Sequence, residues 1–127
     1  MSFTFNPIHG PVIVGAEITG PSGIAVLRLV LDTGATDTLI NIAPLVAIGY
    51  DPALSPQRLQ VTTGSGIEYA PCISLMKIKA LGKEYKELPV LCHTLPPSTG
   101  VDGLLGLNFF RGLCLNINFR KGEIEIS

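Results

Sequence analysis

The hydrophobic residues of the chain recur in short runs separated by turn signals, a pattern typical of β-strands. Residues 11–18 and 24–31 are rich in Val, Ile and Leu, and Gly20-Pro21-Ser22-Gly23 between them predicts a tight turn. The two runs are therefore expected to form a hairpin. The second run is apolar on both faces except at Arg28, which predicts a strand covered on both sides.

The rest of the chain continues this pattern. Residues 58–63 and 67–70 flank Gly64-Ser65-Gly66, which predicts a second hairpin with a flexible tip. The apolar alternation of residues 73–81 changes phase between Leu75 and Met76, so a bulge or a sharp bend is expected there. Further strands are expected at residues 85–93, 113–119 and 123–127, with a Pro-rich loop at 95–100.

One segment, residues 42–48, has the features of a short helix. Asn41 precedes it as a candidate cap, Pro44 lies in its first turn and Gly49 follows its last residue. The predicted fold class is therefore all-β with one or two short helices.

Composition limits the possible functions. The 127 residues suffice for one domain, 1–127, and are too few for two. Hydrophobic residues make up 46% and charged residues only 15%, against roughly 25% charged in an average soluble domain, so a partner is expected to cover part of the surface. The formal net charge of −1 offers no basic face to nucleic acid or to an anionic membrane.

Targeting signals and cysteines suggest a compartment. No apolar run reaches the roughly 20 residues of a membrane helix, and the first residues lack the basic and apolar regions of a signal peptide. The three cysteines are an odd number without metal-type spacing. Reduced, mostly buried thiols in a cytoplasmic protein are therefore expected.

The most suggestive chemical feature is Asp32, which follows the apolar run Leu29-Val30-Leu31 and begins the tripeptide Asp-Thr-Gly. Gly34 allows backbone to approach the carboxylate, and Thr33 supplies a hydroxyl that can lock the turn. Hydrogen bonds to the charged carboxylate would lower a pKa that burial raises. Alone, the tripeptide favours an ordinary aspartate in a strand-ending turn, because three residues in this order occur by chance in many chains.

A second motif lies some way along the chain, at residues 101–110 (VDGLLGLNFF). Two apolar residues, Leu104 and Leu105, precede Gly106, and a short helical turn follows. Gly106 would let this segment pass close behind the Asp-Thr-Gly loop. The alternative is a buried strand that runs into a helix cap. Asp102 beside it is interpreted as a turn residue, since no Thr-Gly follows it.

Together, in this order, the two motifs resemble those of the retropepsin-like aspartic proteases, the single-lobe relatives of pepsin. The resemblance covers nearly the whole chain and implies a closed β-barrel-like acid-protease fold, a short helix after the catalytic loop and a glycine-rich flap at residues 62–69. It implies that Asp32 is catalytic, with Thr33 and Gly34 as loop support. The substrate-binding residues would then be Gly34, Ala35, Thr36, Thr63, Gly64, Ser65, Gly66 and Ile67.

The implied mechanism requires two copies of the chain. Aspartic proteases use two carboxylates about 3 Å apart that share one proton, and this chain has a single Asp-Thr-Gly. The second Asp32 must come from another copy, which predicts a homodimer with the site on its twofold axis. The substrate would be an extended peptide, and neither a metal nor an organic cofactor is needed.

The resemblance also assigns structural roles. It implies that Thr33 reaches across to the partner's loop and that the termini, residues 1–5 and 123–127, interleave between subunits. Ile67, Leu39 and Ile40 are candidates for apolar pocket walls. The charge pair common in viral members is replaced here by Thr36 and Leu107, which leaves no buried charge without a partner.

Other readings remain open. The same fold could bind a peptide without cutting it, or could serve only for dimerisation.

Asp37 is expected to form hydrogen bonds near the cleft or to cap a turn. His9 and His93 lie far apart without a metal-binding pattern, and neighbouring Cys92 and His93 would face opposite sides of a strand, so no metal site is expected.

Overall fold

The computed structural model describes residues 2–63 and 66–127, with the side chains of residues 62 and 63 left out of the description. The strands in chain order are β1 Ser2–Thr4, β2 Ile13–Gly20, β3 Gly23–Leu31, β4 Leu39–Ile40, β5 Arg58–Thr63, β6 Gly66–Leu75, β7 Lys77–Ala80, β8 Lys83–Tyr85, β9 Leu88–Cys92, β10 Gly103–Leu105, β11 Leu115–Asn118 and β12 Glu123–Ile126. The α-helices are α1 Ile42–Ala47 and α2 Leu107–Phe110. The predicted all-β class with short helices is confirmed.

Nine strands form one curled sheet in the order β5-β6-β9-β4-β10-β3-β2-β7-β8, which bends into half a barrel. The predicted hairpin of β2 and β3 is present, with Gly20 opposite Gly23 and the turn at residues 21–22. The second predicted hairpin is also present in its described part, where β5 and β6 pair from Arg58–Pro71 to Thr63–Gly66. Residues 64 and 65 of its tip lie outside the described part of the chain.

Strand β3 is covered on one face only, which corrects the prediction of a strand buried on both sides. Leu27, Leu29 and Leu31 point into the core. On the other face Val26 is 75% exposed and Ile24 is 61% exposed. The prediction failed because apolar residues on both faces of a strand were taken as burial on both faces, although single exposed hydrophobic residues are common on protein surfaces.

The predicted phase change at Leu75 and Met76 is a change of partner strand. Strand β6 pairs with β9 as far as Leu75, Met76 forms a bend, and β7 then pairs with β2. The Tyr50 hydroxyl holds the bend, because it accepts a hydrogen bond from the Met76 amide at 2.8 Å and donates one to the Thr19 carbonyl at 2.6 Å. The bend lets one continuous segment join two parts of the curled sheet.

The strand predicted at residues 85–93 is two strands, since β8 ends at Tyr85 and β9 begins at Leu88. Glu87 between them has a positive φ of 59°, a conformation that interrupts a regular strand. Helix α1 occupies the predicted place, but Asn41 does not cap it with its side chain. The Asn41 amide group instead accepts from the Leu95 amide and donates to the Val101 carbonyl, so it ties two loops together.

The terminal segments form a separate three-stranded sheet in the order β1-β12-β11. They are strands, as predicted, and within this chain β1 pairs antiparallel with β12. Ile124 and Ile126 of β12 are buried and belong to the main core. Interleaving of the termini with those of a partner stays a prediction. None of the described helices is long and apolar enough to span a membrane.

The core lies inside the curl of the large sheet. Its fully buried side chains include Leu29, Leu105 and Phe109, and the Phe109 ring meets that of Tyr85 edge-to-face at a centroid distance of 5.0 Å. Strand β10 crosses this core between β3, to which it is parallel, and β4, to which it is antiparallel. The contact with β4 is close: a Cβ added to Gly103 would lie 2.1 Å from the Leu39 carbonyl oxygen.

Gly103→Ala is expected to destabilise the protein by about 3 kcal/mol or more, because the added methyl group meets backbone atoms that cannot rotate away. Urea unfolding measures the effect. Gly15→Ala in β2 is the matched control, since a Cβ there meets nothing within 4 Å, and its change should stay within about 0.5 kcal/mol. Equal stability of the two variants would contradict the close packing of β10 on β4.

Candidate active site

Asp32 stands immediately after β3, at the point where this strand leaves the core. The Asp32 amide donates to the Leu105 carbonyl at 3.0 Å, which continues the parallel pairing of β3 with β10 by one residue. Its Oδ1 accepts a hydrogen bond from the Gly34 amide at 2.9 Å, and its carbonyl accepts one from Ala35 at 3.2 Å. The half-buried carboxylate is therefore held in a fixed orientation by the turn that follows it.

The second motif passes directly behind this turn, as the sequence predicted. A Cβ on Gly106 would lie 2.6 Å from the Asp37 backbone and 2.8 Å from the Ala35 carbonyl oxygen. The Leu107 amide donates to the Ala35 carbonyl at 2.8 Å, and the Asn108 amide donates to the Thr36 carbonyl at 3.1 Å. Backbone hydrogen bonds thus join the two loops at the positions where viral relatives are expected to carry a charge pair.

A buried side-chain network, not predicted from the sequence, reinforces this contact. Thr38 is fully buried; its hydroxyl donates to Asn108 Oδ1 at 2.7 Å and accepts from the Gly106 amide at 3.1 Å. Asn108 Oδ1 also accepts from the Thr38 amide at 2.9 Å, and its amide nitrogen donates to the Pro89 carbonyl at 2.7 Å. The sequence held one signal for this network: each motif has a polar residue next to apolar core residues, Thr38 in the first and Asn108 in the second. Such residues need hydrogen-bond partners when they are buried.

A cleft of about 1060 Å³ opens beside the Asp32 turn. Its walls come from the turn that follows Asp32, from the described part of the β5–β6 hairpin and from the Pro-rich loop after β9. The lining residues are Gly34, Ala35, Thr36, Asp37, Leu39, Gln60, Val61, Glu68, Leu91, His93, Thr94, Leu95, Pro96, Pro97 and Leu104. A cleft of this volume, lined by both apolar and polar residues, can accommodate an extended peptide segment.

The structure separates the predicted site residues into three groups. Gly34, Ala35, Thr36 and Leu39 line the cleft, whereas Thr33 lies on the exposed side of the turn. Ile40 is fully buried in the core and Ile67 is 63% exposed outside the cleft lining, so neither forms a wall of the cleft within the single chain.

The predicted flap residues are only partly described. Thr63 pairs with Gly66 at the end of the hairpin, where Gly66 has a φ of 121°. The predictions for Gly64 and Ser65, and for the side chain of Thr63, lie outside the described residues. The positions of Gln60, Glu68 and the loop at 93–97 beside the cleft were missed, because they depend on distant pairing. The β5–β6 hairpin places Gln60 and Glu68, and the pairing of β9 with β4 and β6 places the loop that follows it.

The remaining acidic candidate, Asp102, is a structural residue. Its Oδ2 accepts from the Arg28 amide at 2.8 Å, and its own amide donates to the Arg28 carbonyl at 2.8 Å. Asp102 therefore continues the hydrogen bonding between β3 and β10 by one residue, just before β10 begins at Gly103. The predicted assignment of Asp102 to a turn agrees with this geometry.

The cysteines near the cleft are held as neutral thiols. Burial, and secondarily the negative charge of Asp37, raise the pKa of the Cys72 thiol. Burial, and secondarily Cys72, raise the pKa of Cys92 to about 11. Because the thiolate is the reactive form, neither residue is suited to act as a nucleophile at neutral pH. As predicted, Cys92 and His93 face different sides: Cys92 is buried and His93 lines the cleft.

Comparison with known proteins gives the class. The model of the family described as gag-polyprotein putative aspartyl protease matches residues 22–112, and the chain belongs to this family of retropepsin-like aspartic proteases. The crystal structure of a retropepsin-like aspartic protease from Rickettsia conorii matches with a TM-score of 0.74 at 19% sequence identity, over 98% of this chain and 86% of that one. This structure shares the fold. No curated protein sequence matches the chain.

Thr38→Val is expected to lower the free energy of unfolding by about 1–3 kcal/mol, because the buried Gly106 amide would lose its acceptor while the side-chain volume stays nearly constant. Urea unfolding measures the loss. Thr4→Val, at an exposed position, is the matched control and should change stability little. If Thr38→Val were as stable as Thr4→Val, the hydroxyl would not support the contact between the two loops.

Proposed function

We propose that the protein is an aspartic endopeptidase whose active site forms between two copies of the chain, each of which contributes Asp32. The observation that carries the proposal is the hydrogen bond from the Gly34 amide to the Asp32 carboxylate, which orients the carboxylate beside a peptide-sized cleft. Asp32 itself is not among the residues that line the cleft, but Gly34 is. Membership in the aspartyl protease family supports the same chemistry. The chain has one Asp-Thr-Gly, and the reaction requires two carboxylates.

The proposed reaction needs only the two carboxylates and water. One ionised Asp32 takes a proton from a water molecule, whose oxygen attacks the carbonyl carbon of the peptide bond. The other, protonated Asp32 donates to the carbonyl oxygen, which gives a tetrahedral gem-diol. The Asp32 that took a proton from water then gives it to the amide nitrogen, while the other Asp32 takes a proton back from a hydroxyl of the gem-diol. The C–N bond breaks, and an amine and a carboxylic acid are released. Each carboxylate is restored to its starting form.

The cleft supplies the binding side of this proposal. A substrate in an extended conformation can pair its backbone with exposed groups of the catalytic loop and of the hairpin strand β6. The floor of the cleft is formed by three leucines, Leu39, Leu91 and Leu104. These leucines would contact apolar parts of the substrate's side chains. Closure of the β5–β6 hairpin over the peptide would exclude water other than the attacking molecule.

The second candidate is a non-catalytic module of the same fold that binds a peptide or only dimerises. The intact Asp32, Thr33 and Gly34 favour catalysis, since a module that only binds has no need for a carboxylate so oriented. Cleavage assays distinguish the two, because both candidates would bind peptide and only one would cut it.

Asp32→Asn is expected to reduce peptide cleavage by at least about 10³-fold, because an amide cannot exchange the proton that the dyad must transfer. Cleavage of a broad peptide library, followed by mass spectrometry at acidic to neutral pH, measures the loss. Asp51→Asn is the matched control, since Asp51 is exposed and lies outside the cleft, and it should retain full activity. Absence of cleavage by the wild-type protein would favour the binding module.

Mixed dimers test whether two chains share one site. With the wild-type concentration held constant, an equal amount of Asp32→Asn protein should lower activity to about half after the subunits have exchanged, because mixed dimers lack one carboxylate. Asp51→Asn protein added in the same way should not lower it. Unchanged activity with Asp32→Asn, in a sample shown by mass spectrometry to contain mixed dimers, would contradict a shared site.

A further inference from the structure

The cleft beside Asp32 combines an apolar floor with acidic walls. Leu39 and Leu91 belong to a small buried cluster with Cys72, against which Val61, Leu95 and Leu104 pack. Two carboxylates, those of Asp37 and Glu68, also line the cleft. Neither lysine nor arginine occurs among the described residues of its lining. Within that lining, His93 is the one group that can carry positive charge.

Asp37 provides one negative charge at the catalytic end of the cleft. Asp37 is half-buried. Its neighbour Thr36 lines the cleft, and the hydroxyl of its other neighbour, Thr38, donates a hydrogen bond to Asn108. Its charge contributes to the raised pKa of Cys72 in the floor cluster. The negative potential of Asp37 therefore extends into the wall where a substrate side chain would lie.

Glu68 provides the second negative charge from the opposite wall, on β6. Its side chain is 51% exposed, and its Oε2 lies 4.0 Å from His93 Nε2. Among the described residues of the lining, no lysine or arginine compensates the charge of this carboxylate. Glu68 is therefore available to a cation that enters between the hairpin and the loop after β9.

We propose that this cleft selects a substrate residue with a long apolar stem and a cationic head, lysine or arginine, and that Asp37 and Glu68 determine the preference. This inference rests on the proposed function, since it names the substrate class of the same site. The stem would pack on the leucine floor, as lysine and arginine stems do on apolar surfaces. The head would reach the carboxylates, with arginine able to form paired hydrogen bonds to one of them.

The proposed dimer extends the preference to both sides of the cut bond. A second copy brings an identical cleft, related to the first by the twofold axis through the catalytic pair. A basic residue is therefore favoured at a position before the scissile bond and at the symmetry-related position after it. Substrates with basic residues on both sides should be preferred over those with one.

The test measures binding separately from cleavage. Fluorescein-labelled decapeptide pools, each with one position fixed as Arg, Lys, norleucine or Glu, are titrated against Asp32→Asn protein at neutral pH and low salt. At one or more positions, the Arg and Lys pools should bind about tenfold more tightly than the norleucine pool, a difference of about 1.4 kcal/mol, because their charged heads can form ion pairs with the two carboxylates. The Glu pool should bind most weakly, and the preference should shrink at high salt.

Substitution of the two carboxylates identifies the source of the preference. In the Asp32→Asn background, adding Asp37→Asn and Glu68→Gln should bring the Arg, Lys and norleucine pools to nearly equal affinity. The matched control adds Asp51→Asn and Glu87→Gln, which remove the same charge outside the cleft and should leave the preference intact. A preference that survives the first pair, or is lost with the control pair, would overturn the assignment.

Wild-type cleavage of the same pools separates this inference from the proposed function. Cutting without any preference for basic residues would overturn the inference and leave the protease proposal standing. Preferential binding of basic pools without cutting by the wild-type protein would support the inference and overturn the protease proposal. Failure of every pool to bind would overturn the inference, because the cleft would then not take peptide.

Discussion

The structure depends on one close backbone contact, that between the Asp32 turn and the segment at residues 103–108. Gly103 and Gly106 leave no room for a side chain where this segment meets β4 and the turn. Hydrogen bonds from the Asp32, Leu107 and Asn108 amides connect the two pieces of backbone. The carboxylate is therefore positioned by the crossing of two distant parts of the chain and does not rely on its own loop alone.

This arrangement explains how a small half-barrel can hold the Asp32 carboxylate in one position. Strand β3 brings Asp32 out of a dense core, and β10 fixes the end of that strand from the other side. The cleft then lies between rigid backbone on one side and the hairpin of β5 and β6 on the other.

The approach of Gly106 to the Asp32 turn was predicted from the small size of glycine, which permits close packing between distant segments. Sequence patterns predicted most of the strands and the bend at Met76, because turn residues and alternation are local signals. They failed where a residue's surroundings come from distant segments. The alternation of β3 could not show that Ile24 and Val26 face solvent, and Asn41 was read as a helix cap although its partners lie on later loops. The cleft walls from Glu68 and His93 were missed for the same reason.

The terminal sheet has a consequence for how the molecule assembles. Strand β12 is its central strand, with β1 on one edge and β11 on the other, and Ile124 and Ile126 complete the core from within the same polypeptide. A second copy that added strands to this sheet would therefore pair with β1 or β11 at its edges, or would exchange its own β1 for that of the first copy. Pairing at an edge would leave the fold of each copy unchanged, so that the fraction of paired copies would rise with protein concentration.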